Sequence, residues 1–260
     1  MFWHKMMHGL SVFLNPRSPA AIYRNPACFT FNISAQMLNL ILKLNLLFNN
    51  RKKVKCLICG WEGNQFGYSA AISCNSFRKS QICFGCGSNG RSRFLIEILF
   101  KKTDFTNKDL TIVDVGAAPS TKKIFEKYPH IRYLTVDRFK ESDITSDIEH
   151  SIRLSSQSVD IILCCHVLEH IDNYHQTLQE FSRILKDAGL GIIAVPQTPG
   201  LQKSKKLTND SFHGYGHKWE FGNDFPEELR RTGFEVTTTT NPQGEPFHFI
   251  QKPFSATMAQ

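Results

Sequence analysis

No acidic residue precedes Glu62. The eight cations of that stretch (Lys5, Arg17, Arg24, Lys43, Arg51, Lys52, Lys53 and Lys55) equal the whole net charge of +8. The remaining chain is balanced, 23 basic residues against 23 acidic. A basic arm ahead of a neutral body is not a basic groove, so nucleic acid is a possible partner but not the favoured one. Long hydrophobic runs are missing too. The nearest, Met37 to Phe48, is broken by Asn39, Lys43 and Asn45, short of the roughly 20 apolar residues of a membrane helix. No transmembrane segment is therefore expected. The Leu and Ile of that run fall mostly at helical spacing, which predicts one amphipathic helix within a basic arm over residues 1–50. No apolar h-region with a small-residue cleavage site leads the chain, so no secretory signal is expected, and the location expected is cytoplasmic. A mitochondrial presequence is also basic and acid-free, but few Arg and the interrupting Pro16, Pro19 and Pro26 weigh against it.

Eight cysteines are present, and four of them are patterned. Cys56-Leu57-Ile58-Cys59-Gly60 and Cys83-Phe84-Gly85-Cys86-Gly87 form two CxxC knuckles with 23 residues between Cys59 and Cys83. Each knuckle sets two sulfurs on one tight turn, and the glycine after each second Cys is expected to free backbone amides toward the thiolates. Cys56, Cys59, Cys83 and Cys86 are thus expected to ligate a structural Zn²⁺, with no open position for catalysis. Cys74 lies between the knuckles without a partner, and Cys28, Cys164 and Cys165 read as ordinary small core or loop residues. A zinc-ribbon module is expected over residues 51–93. Arg91 and Arg93 open the helix that follows it, where they could reach an anionic substrate or simply be solvated.

From residue 94 to 255 the pattern is that of one α/β domain. Apolar, β-branched runs predict strands at 110–115, 132–137, 159–164, 190–195, 234–240 and 246–251, and helices at 120–128, 173–186 and 224–232. The last two strands, joined through Asn241-Pro242-Gln243-Gly244, predict an antiparallel hairpin closing a mostly parallel sheet. At the centre, Thr111 to Val115 ends in Asp114 and Gly116, breaks into small residues and opens a helix. A second strand follows and ends in Asp137. Strand, small-residue turn, helix, strand and acid is the layout of a nucleoside-cofactor half-site.

Three stretches carry a family resemblance: Val113-Asp114-Val115-Gly116-Ala117-Ala118-Pro119, Ser158 to Leu163, and His166-Val167-Leu168-Glu169-His170-Ile171. Together with Phe181 to Leu190 they resemble the class I S-adenosylmethionine-dependent methyltransferases, which implies a Rossmann-like sheet. His217-Lys218-Trp219-Glu220-Phe221-Gly222-Asn223-Asp224-Phe225 and the paired CxxC knuckles are similar to a ribbon-bearing subgroup. The resemblance implies S-adenosylmethionine as cofactor. Asp114, Gly116, Ala117 and Ala118 would lie against its methionine part, Asp137 would take the ribose hydroxyls, and Arg138, Asp147 and Ile148 would border the adenine, with Asp143 a rival for Asp147. Cys165, His166 and Val167 would line the pocket near the sulfonium. The family turn usually carries three glycines, whereas here Ala118 and Ser120 stand in two of the places and Pro119 is placed to begin the helix.

Methyl transfer is an in-line displacement, and a hydroxyl or amine acceptor must also lose a proton. His166, His170, His213 and His217 are the candidate bases, with His217 and His166 favoured and Glu169 and His170 expected to hold the start of a helix. Residues 197–223 read as a Gly-hinged, aromatic lid over the acceptor, or as a packed segment of His217 and Trp219. The function expected is methyl transfer to an O or N of a small-molecule or saccharide-type acceptor. An RNA or protein methyltransferase that holds its substrate with ribbon and arm is the alternative, although no Lys-Asp-Lys-Glu set is evident. A third reading is a non-catalytic binding module on a degenerate form of the fold. Nothing in the sequence fixes an oligomeric state.

Overall fold

The structure is a computed structural model that describes residues 37–43, 53–70, 77–139, 141–208 and 216–253. The expectations placed on Cys28, Cys74 and His213 lie outside the described residues. Seven strands form the central sheet: β5 (Thr111–Val115), β6 (Arg132–Asp137), β7 (Ile144–Thr145), β8 (Val159–Cys165), β9 (Leu185–Ala194), β12 (Glu235–Thr240) and β13 (Pro246–Gln251). Their order is β12-β13-β9-β8-β5-β6-β7. Only β13 runs against its neighbours, β9 and β12. The predicted mostly parallel sheet with a closing hairpin is what forms.

The strands form where β-branched runs can be buried on both faces. Ile112, Val113 and Val115 of β5 are buried, and β5 is flanked in parallel by β6 and β8. From β5 the chain steps outward to β6 and β7, then returns past β5 to β8 and β9. The β5/β8 junction is therefore the topological switch, and a crevice opens at the carboxyl ends of those strands. Helices cover both faces. Leu95, Ile96 and Leu99 of α1 (Gly90–Lys102) and Ile124 and Phe125 of α2 (Pro119–Phe125) pack in one apolar cluster. Leu178 and Phe181 of α3 (Tyr174–Ile184) and Phe225 and Leu229 of α4 (Phe225–Arg231) pack in the other. Among the described residues no helix is long and apolar enough to cross a membrane.

The knuckle segment builds two small hairpins, β1 (Val54–Lys55) with β2 (Glu62–Gly63), and β3 (Gly67–Ala70) with β4 (Phe77–Ile82). Cys56, Ile58 and Cys83 share the apolar cluster of α1 and α2, and Lys127 Nζ donates to the Ile58 carbonyl at 2.7 Å. Residues 37–43 are helical, within the predicted arm helix, and Asn39 bridges to the backbone of Tyr68 in both directions (2.7 and 2.8 Å).

Two expectations move. The helix predicted to 186 ends at Ile184, and the strand predicted from 190 already begins at Leu185. Lys186 reaches Asp160 (Nζ–Oδ1 2.8 Å), Leu185 pairs with Val159, and a register shift before Ile161 absorbs the turn in which Ala188 takes φ 61°. Second, the helix expected to start at Glu169 and His170 is a short one, separate from the long helix expected from 173. Glu169 and His170 lie in a single 3₁₀ turn, Leu168–His170, and α3 starts only at Tyr174. Glu149 receives the amides of Asp172 and Asn173 (2.9 and 3.1 Å), and Asn173 then caps Gln176, which breaks the two turns apart.

Candidate functional site

A pocket of about 190 Å³ opens at the switch point. Its floor comes from the β5–α2 turn: Asp114, Val115, Gly116, Ala118 and Thr121. Cys165 and His166 at the end of β8 form one wall, and Asn89, Arg91, Ser92 and Leu95 of the α1 start form another. Gly116 has φ +67°, which glycine adopts without strain, and a Cβ there would meet Val167 Cγ2 at 2.6 Å. Pro119 begins α2, where its missing N–H costs nothing. Asn89 caps α1 by accepting from Ser92 N (2.8 Å). Arg91 leans toward Glu245 in the closing hairpin turn (3.8 Å).

Asp114 is the anomalous group of the floor. Burial pushes its carboxyl up to about 7, against one opposing hydrogen bond donated by Tyr133 Oη at 2.6 Å. At the next strand end, Asp137 accepts from Phe139 N (2.8 Å), and Arg138 pairs with Asp147 at 2.9 Å. The rival Asp143 is held by the amide and hydroxyl of Thr135 (2.8 and 2.7 Å), which keep its carboxyl below the usual range.

Beyond the β8 end, His166 occupies the left-handed region at φ 58°, uncommon for a residue with a Cβ. Its Nδ1 lies 3.3 Å from Glu169 Oε1, and His170 Nε2 lies 3.9 Å from the same oxygen. The His170 and His217 rings meet edge to face, with centroids 4.9 Å apart. Around them β10 (Lys205–Lys206) pairs with β11 (Trp219–Glu220), and Trp219 and Phe221 pack on Tyr174. Within the expected lid, Trp219 to Gly222 form a packed segment with Phe221 buried, while residues 199–200, 202–203, 205–206 and 208 are exposed.

The four patterned thiols converge. Cys56 and Cys86 sulfurs lie 3.8 Å apart, those of Cys59 and Cys83 3.7 Å, and all four within 4.8 Å. Four sulfurs at 2.3 Å from a tetrahedral ion stand about 3.8 Å from one another, so the donor set fits Zn²⁺. Burial pushes the Cys56 thiol up, but amide donation from Cys59 and the Ser88 hydroxyl outweigh it and bring it to about 7. Backbone amides do turn toward the sulfurs: those of Ile58 and Cys59 to Cys56, that of Trp61 to Cys59, and those of Gly85 and Cys86 to Cys83. Gly60 and Gly87, at φ +77° and +73°, give their amides to the carbonyls of Cys56 and Cys83 (2.8 and 2.9 Å). Gly85 N meets the Cys83 sulfur at 3.3 Å. Arg93 is not solvated either. It is 8% exposed, donates to the carbonyls of Gln81 and Ser88, and stacks 3.7 Å over Phe66.

A family model described as a methyltransferase domain matches residues 83–193. That match spans a little under half of the chain. No curated protein matches it in sequence. Among solved structures it is similar to a 1,6-didemethyltoxoflavin-N1-methyltransferase of Burkholderia thailandensis with bound 1,6-didemethyltoxoflavin and S-adenosylhomocysteine. That match has 16% identity and a TM-score of 0.44, over 62% of this chain and 86% of the other. It is also similar to a SAM-dependent methyltransferase of Aquifex aeolicus, at 15% identity and a TM-score of 0.45, over 59% and 87% of the two chains.

Of the methyltransferase residues expected from sequence, Asp114, Gly116, Ala118, Cys165 and His166 meet in one pocket. Val167 packs over Gly116, and Arg138 and Asp147 pair, with Ile148 buried beside them. Ala117, Asp137 and His217 do not line that pocket. Asn89, Ser92, Leu95 and Thr121 were not anticipated. Asn89 carried a signal, an Asn three residues before Ser92 at the start of an apolar helix, but nothing local said that this helix end faces the cofactor turn.

Proposed function

We propose that the chain transfers a methyl group from S-adenosylmethionine to an oxygen or nitrogen of a small-molecule or saccharide-type acceptor. The observation that carries this reading is the pocket at the β5/β8 switch, where a positive-φ glycine, a buried carboxyl and a half-buried Arg converge. The buried Asp114 fits the ammonium of the methionyl group, since a cation would restore the ionised carboxylate that burial disfavours. Arg91 is the matching partner for its carboxylate. Gly116, Ala117 and Ala118 let the backbone pass close beneath the chain of the ligand. Asp137 accepts from the ribose hydroxyls, with Arg138, Asp147 and Ile148 bordering the adenine. Cys165, His166 and Val167 close the wall nearest the reacting carbon.

S-adenosylmethionine supplies an activated methyl, so the residues of this chain have to align the acceptor, exclude water and take up its proton. His166 lines the pocket and is oriented through Nδ1 by Glu169, which leaves Nε2 as the proton-accepting atom. His217, set against His170 outside the pocket, holds the acceptor. Zn²⁺ at Cys56, Cys59, Cys83 and Cys86 would fix the ribbon against α1, and with it the Arg91 wall.

Calorimetric titration of the full chain with S-adenosylmethionine tests the reading. Binding that Asp137→Ala weakens at least 30-fold is expected, about 2 kcal/mol for hydrogen bonds to a charged acceptor. No binding at millimolar ligand would overturn it. Steeply salt-dependent capture of RNA that is lost without residues 1–55 would move the acceptor to nucleic acid.

A further inference from the structure

We propose that Glu169, His170 and His217 bind a divalent transition-metal cation at the acceptor edge of the cofactor pocket, separate from the four thiols. One carboxylate oxygen and one ring nitrogen from each His lie within 4.8 Å of one another. Two atoms bound at about 2.1 Å to one tetrahedral ion stand about 3.4 Å apart, so the widest separation in the cluster has to close by up to about 1.4 Å, a side-chain rearrangement.

The carboxylate gives the independent sign. Glu169 is 1% exposed, yet its Oε2 accepts no hydrogen bond among the described residues. A buried carboxylate with an idle oxygen is costly unless a cation answers it. Two imidazoles face the same carboxylate through its other oxygen, Oε1. His170 turns Nε2 toward Glu169 and Nδ1 toward the Gly216 carbonyl at 3.4 Å, the outer bond that commonly fixes a metal-bound imidazole. Lys218 N donates to the Glu169 carbonyl at 2.6 Å and clamps the two distant segments next to each other, so that His217 lands on the His170 ring.

Two imidazoles and one carboxylate suit Zn²⁺, Mn²⁺, Fe²⁺ or Co²⁺ rather than Ca²⁺ or Mg²⁺. Three protein ligands also leave a coordination position open. Glu169 touches His166, and His166 lines the pocket, so that position is one side chain away from the cofactor. An acceptor hydroxyl held there is acidified by the ion. It gives its proton to His166, its oxygen pair forms the new O–CH₃ bond, and the S–CH₃ pair stays on sulfur as sulfonium becomes thioether. This choice of an oxygen acceptor rests on the methyltransferase reading, whereas the metal site does not.

Co²⁺ added to metal-depleted full-length protein separates the two sites by colour, without cofactor or acceptor present. Thiolate ligation gives intense charge-transfer bands with d–d bands at long wavelength, and nitrogen–oxygen ligation adds only weak d–d bands at shorter wavelength. Both signatures are expected in the wild type. Glu169→Gln, His170→Ala and His217→Ala should each lose the weak bands, or need at least about tenfold more Co²⁺ to reach them. The thiolate bands should persist in each variant and report an intact chain. A wild-type spectrum with thiolate bands only, or weak bands that survive in all three variants, would overturn the proposal whatever S-adenosylmethionine does.

Discussion

The thiolate ribbon and the crevice at the ends of β5 and β8 are built on opposite terms. In the ribbon the buried cation and the four thiols find their partners internally. Arg93 is buried but has two carbonyls and an aromatic face, and the sulfurs stand at the spacing of a tetrahedral ion. In the crevice polar demands are left open. Asp114 is buried with one hydrogen bond to its carboxylate among the described residues, Glu169 keeps an idle oxygen, and His166 holds a strained backbone. The first region contributes stability and the second holds unfavourable states that a ligand can relieve. Substitutions should therefore divide by region: costly to folding in the ribbon, favourable to folding but harmful to binding in the crevice.

The largest effect is expected at Cys83. Cys56, Ile58 and Cys83 belong to the same apolar cluster as Leu95, Ile96 and Phe247, so if the proposed ion holds the thiols, losing it opens the core of one sheet face. A structural zinc site contributes about 10 kcal/mol in small modules, and half of that here gives a loss of about 5 kcal/mol for Cys83→Ser. In a chain of this size the midpoint of thermal unfolding should fall by at least 10 °C, as it should on adding a strong chelator. An unchanged midpoint would erase the contrast between the two regions.

Asp114 should behave in the opposite way. Its carboxyl ionises at about 7 in the folded chain and near 3.8 in the unfolded one, so the folded state binds the proton more tightly. Below about pH 4 both states are protonated and the group imposes no cost. As pH rises from there to about 7 the unfolded state ionises first, and stability falls by up to about 4 kcal/mol. Asp114→Asn should remove that slope in chemical denaturation and make the chain more stable at pH 8, while weakening S-adenosylmethionine. An identical slope in both proteins would mean that Asp114 is not the strained group.

These contrasts were unevenly legible in the sequence. The sheet was readable because its strands are β-branched runs that bury both faces, and the paired knuckles because thiolate spacing is local. The turn at Gly116 was readable for the same reason. Arg93 was misread, since nothing adjacent to it shows that Phe66 and the Gln81 carbonyl, from the segment before the second knuckle, close over it. The strand start at Leu185 was missed because it depends on Lys186 finding Asp160 across the sheet. The Glu169–His170–His217 cluster depends in the same way on a clamp between segments far apart in the chain. Each of the four histidines was visible as a candidate base, but not the buried carboxylate that gathers three of them.

The smallest effect on stability, and the sharpest separation of folding from activity, is expected at His166. A residue with a Cβ at φ 58° costs about 1 kcal/mol relative to glycine. His166→Gly should therefore stabilise the chain by about that amount in urea denaturation, offset in part because Glu169 no longer has the imidazole beside it. If the imidazole takes the acceptor proton, the same change should lower turnover by about 100-fold or more, with little effect on S-adenosylmethionine affinity. His166→Ala keeps the strain and removes the ring, so it should reduce turnover as much without the gain in stability. Equal loss of activity with unequal stability assigns the chemistry to the imidazole and the cost to the backbone. If instead the glycine variant keeps its turnover, His166 shapes the wall only, and the proton leaves by another route.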